Sequence, residues 1–263
     1  MEISDEICFR VVDLARYTGE FIMKEKDKIS SRDVETKGVH NYVTYVDKTA
    51  EKMLVDGLSR ILPPAGFIAE EGTSEKRGDM YNWIIDPLDG TTNFIHGLPP
   101  FSISIALQRD DETVLGVIYE PNLDEVFYAW EGSPAFLNYQ PIDVSQKADL
   151  NNALLATGFP YYDYSKLDKY MEFFKWCMVN TRGVRRLGSA AVDLAYVACG
   201  RMDGFYEYGL SPWDVAAGAF IVERAGGKVS DFSGGDNYIF GKEIIAFNSK
   251  LHADFLKAFN EIF

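Results

Sequence analysis

Two carboxylates stand three positions apart where an apolar run ends, in the segment Trp83-Ile84-Ile85-Asp86-Pro87-Leu88-Asp89. The sequence Gly90-Thr91-Thr92 follows directly. Hard cations prefer oxygen ligands held in fixed positions. Phosphates bind to exposed backbone N–H groups beside small residues. A strand-to-turn junction that offers both features predicts the centre of a metal-dependent phosphate site.

Two further acids are candidates for the same place. Glu70 ends a neighbouring apolar strand, and Asp214 is the third residue of a helix that Ser211-Pro212 opens. Two unit charges about 4 Å apart repel by roughly 4 kcal/mol at an effective dielectric of 20, so converging acids need cations. Oxygen-only ligands without nearby His or Cys favour Mg²⁺, with Mn²⁺ as a substitute. Alternatives remain open, because Asp89 could cap a helix beginning at Gly90 or Thr91 and Asp214 could only serve the helix dipole.

Hydrophobic spacing predicts the elements that position these residues. Helical periodicity covers residues 3–26 and a second helix that starts at Thr44 and stops before Pro63, and residues 29–42 read as a loop or hairpin. Three strands between residues 101 and 130 form an antiparallel meander with polar turns. After residue 141 helices alternate with short strands. The pattern predicts an α/β protein with a domain of residues 1–141, which carries most metal ligands, and a domain of residues 142–263, which carries Asp214 and the substrate contacts.

Four segments, in order, resemble the inositol monophosphatase family. They are Asp86-Pro87-Leu88-Asp89-Gly90-Thr91-Thr92-Asn93-Phe94, Gly188-Ser189-Ala190-Ala191, Phe205-Tyr206-Glu207 and Trp213-Asp214-Val215-Ala216-Ala217-Gly218. The resemblance is clearest from Asp47 to Gly227. It implies a layered α-β-α-β-α sugar phosphatase fold, with an antiparallel-rich N-terminal sheet, paired helices and a smaller C-terminal α/β domain. It also implies hydrolysis of a small phosphate monoester, with inositol 1-phosphate as the first candidate.

The same resemblance implies two to three Mg²⁺ ions. Glu70, Asp86 and the Leu88 carbonyl would hold one ion, while Asp86, Asp89 and Asp214 would hold a second. A third, weaker ion would lie near Glu70 through waters. The implied catalytic residues are Asp47, Thr91 and Glu70, with Asp47 and the Thr91 hydroxyl positioning and deprotonating the attacking water. From local sequence alone, Asp47 could instead be a carboxylate at a helix N-terminus.

Substrate contacts follow from the resemblance as well. Gly90 and Thr91 lie where the family meets the phosphate, and Glu207 matches a position that hydrogen-bonds an inositol hydroxyl. The small residues Gly188, Ser189 and Ala190 would let a sugar hydroxyl approach, although close helix packing explains them equally well. Arg185, beside Arg186, could touch the substrate or a partner subunit, or form part of a surface charge pair. Lys37 is near a family lysine but one position out of register.

Composition narrows the class of protein. The chain has 263 residues and a net charge of −14, which argues against a nucleic-acid-binding surface. The sequence contains no run of about 18 apolar residues, so it predicts no membrane span. Three scattered cysteines and an acidic N-terminus instead of a signal peptide predict a cytoplasmic protein. The expected partner is a small phosphorylated polyol or sugar, and the family resemblance implies a homodimer that Li⁺ inhibits.

Alternatives to an inositol monophosphatase remain. Within the same superfamily, the substrate could be fructose 1,6-bisphosphate, a 3′-phosphoadenosine nucleotide or histidinol phosphate. From a different class, the chain could be a regulatory protein that binds the transcription machinery, with Arg185 and Arg186 contributing to that surface.

Overall fold

The computed structural model describes residues 3–29, 34–38 and 41–263. Its helices are α1 (Asp5–Glu25), α2 (Tyr45–Ile61), α3 (Thr91–Ile95), α4 (Leu167–Asn180), α5 (Ala190–Ala198), α6 (Pro212–Arg224) and α7 (His252–Asn260). Its strands are β1 (Val34–Gly38), β2 (Asn41–Thr44), β3 (Gly66–Ala69), β4 (Tyr81–Asp89), β5 (Ser102–Arg109), β6 (Glu112–Glu120), β7 (Glu125–Trp130), β8 (Ala135–Leu137), β9 (Gln140–Ile142), β10 (Leu154–Thr157), β11 (Gly183–Arg185), β12 (Gly204–Tyr208), β13 (Gly227–Ser230) and β14 (Glu243–Asn248).

The larger sheet has the order β3-β4-β5-β6-β7-β8-β9, so neighbouring strands follow one another along the chain. Only β3 pairs with its neighbour in parallel, and the other pairs are antiparallel. The turn between β5 and β6 uses Asp110 and Asp111 at φ values of 50° and 69°. Positive φ at both central residues suits the right-handed twist of a hairpin. The predicted meander is therefore confirmed.

Alternating side chains place one apolar face of this sheet against each of two helix layers. On one face, Trp83 and Ile105 pack with residues of α1 and α2 such as Val11 and Leu54. On the other face, Ile84 and its neighbours pack against α5 and α6. Because side chains alternate along a strand, a sheet covered on both sides is apolar at nearly every position. That is why β4 and β5 read as continuous apolar runs.

The smaller sheet has five strands in the order β11-β10-β12-β14-β13. One of its faces contributes Phe205, Ile244 and Ala246 to the same apolar cluster as α5 and α6. Its other face is covered by α4 and α7 through an aromatic cluster that includes Phe173 and Phe255. The layers therefore run helices, sheet, helices, sheet, helices, which confirms the expected α-β-α-β-α fold.

Four of the short strands were missed by periodicity. The strands β8, β9, β11 and β13 have three or four residues each, too few for a pattern to stand out. In the expected loop or hairpin of residues 29–42, β1 and β2 pair antiparallel. The side chain of Lys37 lies outside the described residues. The division at residue 141 stays a prediction. Within the described ranges, no helix combines the length and apolar character that a membrane crossing requires.

Candidate active site

A bulge in β4 turns Asp86 and Asp89 to the same side of the sheet. Residues three apart on a regular strand point to opposite faces. Here Asp86 pairs with Ser104 of β5 and Asp89 pairs with Ser102, so three steps on β4 match two on β5. One extra residue in a strand reverses the alternation beyond it. Pro87 is tolerated because a bulge leaves backbone groups unpaired, and the Leu88 N–H donates to Asp86 Oδ1 at 2.8 Å.

Asp89 lies at the N-terminus of α5. Its Oδ2 accepts hydrogen bonds from Ser189 Oγ at 2.6 Å and from the Ala191 N–H at 2.8 Å. Ser189 is the N-cap of α5, and Ser102 of β5 lies 3.1 Å from its hydroxyl. The alternative that Asp89 caps the helix after it is wrong, because Gly90 is the N-cap of α3 and no side chain caps that helix.

Asp214 reaches the cluster from the start of α6. It is the third residue of that helix, and its Oδ2 accepts from the Ser211 N–H at 2.7 Å. One carboxylate oxygen therefore stabilises the helix start, and the group still faces Asp86 and Asp89. Oxygen atoms of these three residues lie within 4.8 Å of one another. The cap role and the site role are thus compatible.

Glu70 follows β3, next to the three-carboxylate cluster of Asp86, Asp89 and Asp214. It lines the same cavity, and its charge contributes to raising the pKa of Asp86. The loop after it is held by Glu51, a fully buried acid on α2. Glu51 Oε2 accepts from the Glu71 N–H at 2.6 Å, and Oε1 accepts from the Thr73 N–H at 2.8 Å. These bonds fix the backbone that carries Glu70.

Asp47 and Thr91 meet beside this cluster. Asp47 Oδ2 accepts from the backbone N–H and the hydroxyl of Thr44, at 2.8 and 2.6 Å, which closes a capping box on α2. Its other oxygen lies 3.1 Å from Thr91 Oγ1, which is also 3.0 Å from the Leu88 carbonyl oxygen. Asp47 is therefore both the helix-capping acid and the neighbour of Thr91 that the resemblance implies.

One cavity of about 240 Å³ collects most of these groups. The predicted residues that line it are Glu70, Asp86, Leu88, Asp89, Gly90, Thr91, Gly188, Ser189, Ala190, Glu207 and Asp214. The arginine in its wall is Arg186, whose guanidinium donates to the Tyr161 hydroxyl at 2.6 Å. Arg185, the predicted neighbour, is exposed on β11 and donates to the Val184 carbonyl oxygen instead.

Burial raises the pKa of every carboxyl group in the cluster, and repulsion from neighbouring acids adds to the shift for Asp86 and Asp214. Burial is the largest cause for Asp86, and the charges of Glu70, Asp89 and Asp214 add to it. The pKa of Asp89 rises to about 6 because burial outweighs its two hydrogen bonds. Burial also raises the pKa of Asp214, with the charge of Asp89 second. A cation bound among these acids would neutralise the repulsion between their carboxylates.

Sequence reasoning missed three residues of the site. Asp193 in α5 lines the cavity while only 1% exposed. Arg186 was identified only as the neighbour of Arg185, and Glu51 was not singled out at all. A polar residue in an otherwise apolar helix is the signal that could have found Asp193. For Glu51 the sequence holds no local signal, because its partners lie some 20 positions away.

Comparison with known proteins agrees with this geometry. A family model described as the inositol monophosphatase family matches residues 4–262. The fructose-1,6-bisphosphatase/inositol-1-monophosphatase of Thermotoga maritima is 42% identical over 251 residues, 95% of this chain and 94% of that protein. The Nus factor SuhB of Pseudomonas aeruginosa is 43% identical over 241 residues, 90% of this chain and 89% of that protein. The crystal structure of extragenic suppressor protein suhB from Bartonella henselae superposes with a TM-score of 0.93 at 39% identity, over 98% of this chain and 99% of that one.

Proposed function

This chain belongs to the inositol monophosphatase family, and from that premise we propose that it hydrolyses the phosphate monoester of a small polyol or sugar, with inositol 1-phosphate as first candidate. The observation that carries the proposal is the cluster of Asp86, Asp89 and Asp214, whose oxygens lie within 4.8 Å at one wall of a cavity of about 240 Å³. A cavity of this size suits a small ester better than a macromolecule.

The donor set fits a hard divalent cation. It consists of carboxylate oxygens and the Leu88 carbonyl, and neither His nor Cys lines the cavity among the described residues. Such a set favours Mg²⁺ or Mn²⁺ over zinc. Asp86, Asp89 and Asp214 would hold one ion, and Glu70, Asp86 and the Leu88 carbonyl another, with a third near Glu70. When bound, these ions neutralise the phosphate and lower the pKa of the attacking water.

In this proposal, Thr91 and Asp47 take the proton from the attacking water. A hydroxyl donates one hydrogen bond and can accept two. When Thr91 Oγ1 donates to Asp47 Oδ1, which is 3.1 Å away, its lone pairs are free to accept from a water. Burial raises the pKa of Asp47 above its usual value, although hydrogen bonds from Thr44 oppose the shift. A carboxylate with a raised pKa is a better general base near neutral pH.

Close backbone packing at Gly90 supports the tight turn beside which the phosphate would bind. Gly90 has a φ of 91°, and a Cβ there would lie 3.1 Å from the carbonyl oxygens of Gly188 and Pro100. Only glycine adopts this conformation without strain and fits this space. The hydroxyl groups of the substrate would contact another part of the cavity wall. Glu207 lies there beside Gly188, Ser189 and Ala190.

A phosphate-release assay with a panel of esters tests the proposal. The panel is inositol 1-phosphate, fructose 1,6-bisphosphate, a 3′-phosphoadenosine nucleotide and histidinol phosphate, each with Mg²⁺ and with chelator. We expect Mg²⁺-dependent release with the highest kcat/KM for inositol 1-phosphate. Fructose 1,6-bisphosphate is the alternative that the printed name of the Thermotoga maritima relative favours. No release from any ester would reject the proposal.

A regulatory role in transcription is the second candidate, because the relative from Pseudomonas aeruginosa at 43% identity is named Nus factor SuhB. Rescue of a deletion phenotype by a variant without phosphatase activity would favour it over the enzymatic role. A homodimer and inhibition by Li⁺ belong to the main proposal on the strength of the family resemblance. A cytoplasmic location, based on the three scattered cysteines and the acidic N-terminus, and the two-domain division at residue 141, based on the change in sequence pattern, belong to it too.

A further inference from the structure

We propose that Asp193 is a specificity-determining residue whose carboxyl group hydrogen-bonds a ring hydroxyl of the substrate, so that the site selects phosphate esters of hydroxyl-rich rings. This inference rests on the proposed phosphatase function and names the substrate class of that same cavity. It concerns a residue outside the three-carboxylate cluster and outside the Asp47–Thr91 pair.

The first argument is where Asp193 lies. It is in the first turns of α5, a helix whose buried residues are otherwise all apolar, and it is only 1% exposed. It nevertheless lines the cavity together with Glu207 and Arg186. A buried acid among apolar residues costs free energy unless something pairs with it. The fold therefore tolerates Asp193 at a cost, in the wall of the cavity.

The second argument is that the fold leaves this acid unpaired. Its Oδ1 has no hydrogen-bond partner within the part of the chain that the structure describes. Asp203, which is equally buried, accepts from Ser145 Oγ, Lys147 Nζ and the Leu154 N–H. Glu51 accepts from two backbone N–H groups. Since most buried polar groups are satisfied, an acid left unpaired in a cavity wall supports a ligand group as its partner.

The third argument concerns charge and identifies that group as a hydroxyl. Burial, followed by the charge of Glu207, raises the pKa of Asp193, and burial raises the pKa of Glu207 to about 8. A hydroxyl matches this wall because it can donate to a carboxyl group such as that of Asp193 and accept from the guanidinium of Arg186. Arg186 would attract a second phosphate, but the two acids Asp193 and Glu207 in the same wall oppose it when they ionise. An ammonium group would be repelled by Arg186, which lies in the same wall.

The test compares two esters that differ only in their hydroxyl groups. Inositol 1-phosphate and cyclohexyl phosphate share a six-membered ring, but the second lacks every hydroxyl. We expect the ratio of their kcat/KM values to fall about 10-fold in Asp193→Ala, the size of one well-made hydrogen bond, and less in Asp193→Asn, which keeps a polar amide. An inactive fraction of protein lowers both rates equally, so misfolding does not change the ratio. A ratio equal to that of the wild type would overturn the proposal.

A matched control and a binding measurement complete the design. Glu223→Gln alters a solvent-exposed acid of α6 that accepts from the Tyr238 hydroxyl outside the cavity, and its ratio should equal that of the wild type. In an Asp47→Asn background, calorimetry should show about 10-fold weaker binding of inositol 1-phosphate when Asp193→Ala is added. A loss confined to histidinol phosphate would also overturn the proposal. Wild-type protein that hydrolyses neither ring ester would instead reject the proposed function itself.

Discussion

Ser104 of β5 donates a hydrogen bond from its hydroxyl to the backbone carbonyl oxygen of Trp213, 2.9 Å away and 109 positions later in the chain. Ser104 is also the residue that pairs with Asp86 across the sheet, and Trp213 directly precedes Asp214. The Ser104 hydroxyl therefore links the part of the sheet that carries Asp86 to the start of α6, which carries Asp214. With Ser102 beside Ser189, β5 anchors the N-termini of both α5 and α6.

Loss of one charge from the cluster should abolish both turnover and metal-dependent stabilisation. In Asp214→Asn the side chain keeps an oxygen that can accept from the Ser211 N–H, so the start of α6 is preserved. We expect kcat/KM to fall by about 10³ or more, because the cations neutralise the reacting phosphate. Thermal unfolding with and without Mg²⁺ checks the second effect, since saturation at 100 times Kd adds about 2.7 kcal/mol. Asp254→Asn on α7 is the control. If Mg²⁺ stabilises Asp214→Asn as much as it stabilises the wild type, the ligand assignment is contradicted.

Removal of the Thr91 hydroxyl should slow chemistry rather than binding. Thr91→Val keeps the shape of the side chain but breaks the link to Asp47 Oδ1. We expect kcat to fall by about 10²–10⁴, the usual contribution of a positioned proton acceptor, with little change in KM. Thr91→Ser, which retains the hydroxyl, should keep most of the activity. Steady-state kinetics of the two variants decide the matter, and equal kcat values would argue against the proton relay.

Glu51 should stabilise the backbone that carries Glu70. Glu51→Gln can accept only one of the two N–H bonds from Glu71 and Thr73. Because one of these partly buried N–H groups then loses its charged acceptor, the free energy of unfolding in urea should fall by about 1–3 kcal/mol. The concentration of Mg²⁺ needed for half-maximal activity should rise as well. Asp56→Asn, an exposed change on the same helix, should alter neither quantity. Wild-type stability in Glu51→Gln would refute this role.

Glu207 should make the metal-free protein less stable as pH rises. Its pKa is raised from 4.5 to about 8 in the folded state, chiefly by burial. Between these values the folded state keeps a proton that the unfolded state has lost, so stability falls with increasing pH across this window. The free energy of unfolding of the wild type relative to Glu207→Gln should therefore decrease from pH 5 to pH 8. Parallel pH curves for the two proteins would show that Glu207 is not buried in this way.

Gly158 should be required for substrate binding because it leaves room for Glu207. A Cβ at position 158 would overlap the carboxylate of Glu207, which is only 7% exposed and has little space to move. We expect Gly158→Ala to raise KM for inositol 1-phosphate more than it lowers kcat. The same substitution made in a Glu207→Ala background should have a much smaller effect on KM, since the overlapping group is gone. An undiminished effect there would place the clash elsewhere.

Much of the site was predictable because most of its functional residues lie in short contiguous segments. The step from an apolar run to Asp86-Pro87-Leu88-Asp89, followed by Gly90, indicates oxygen ligands beside a small-residue turn without knowledge of any contact. The Ser-Pro start of α6 likewise placed Asp214 at the third position of its helix. Such inferences succeed because capping, bulge and turn chemistry act over a few residues.

Other features were decided only by the folded chain. Sequence alone could not show that Asp89 bonds to the N-terminus of α5 rather than to α3, because those groups are about 100 positions apart. It also did not distinguish Arg186, in the cavity wall, from the exposed Arg185. Residue types and local spacing determined which groups could bind a cation and a phosphate. Which side chains share a cavity, and which buried acid is left unpaired there, depends on long-range packing of two sheets and their helices, and no local pattern encodes it.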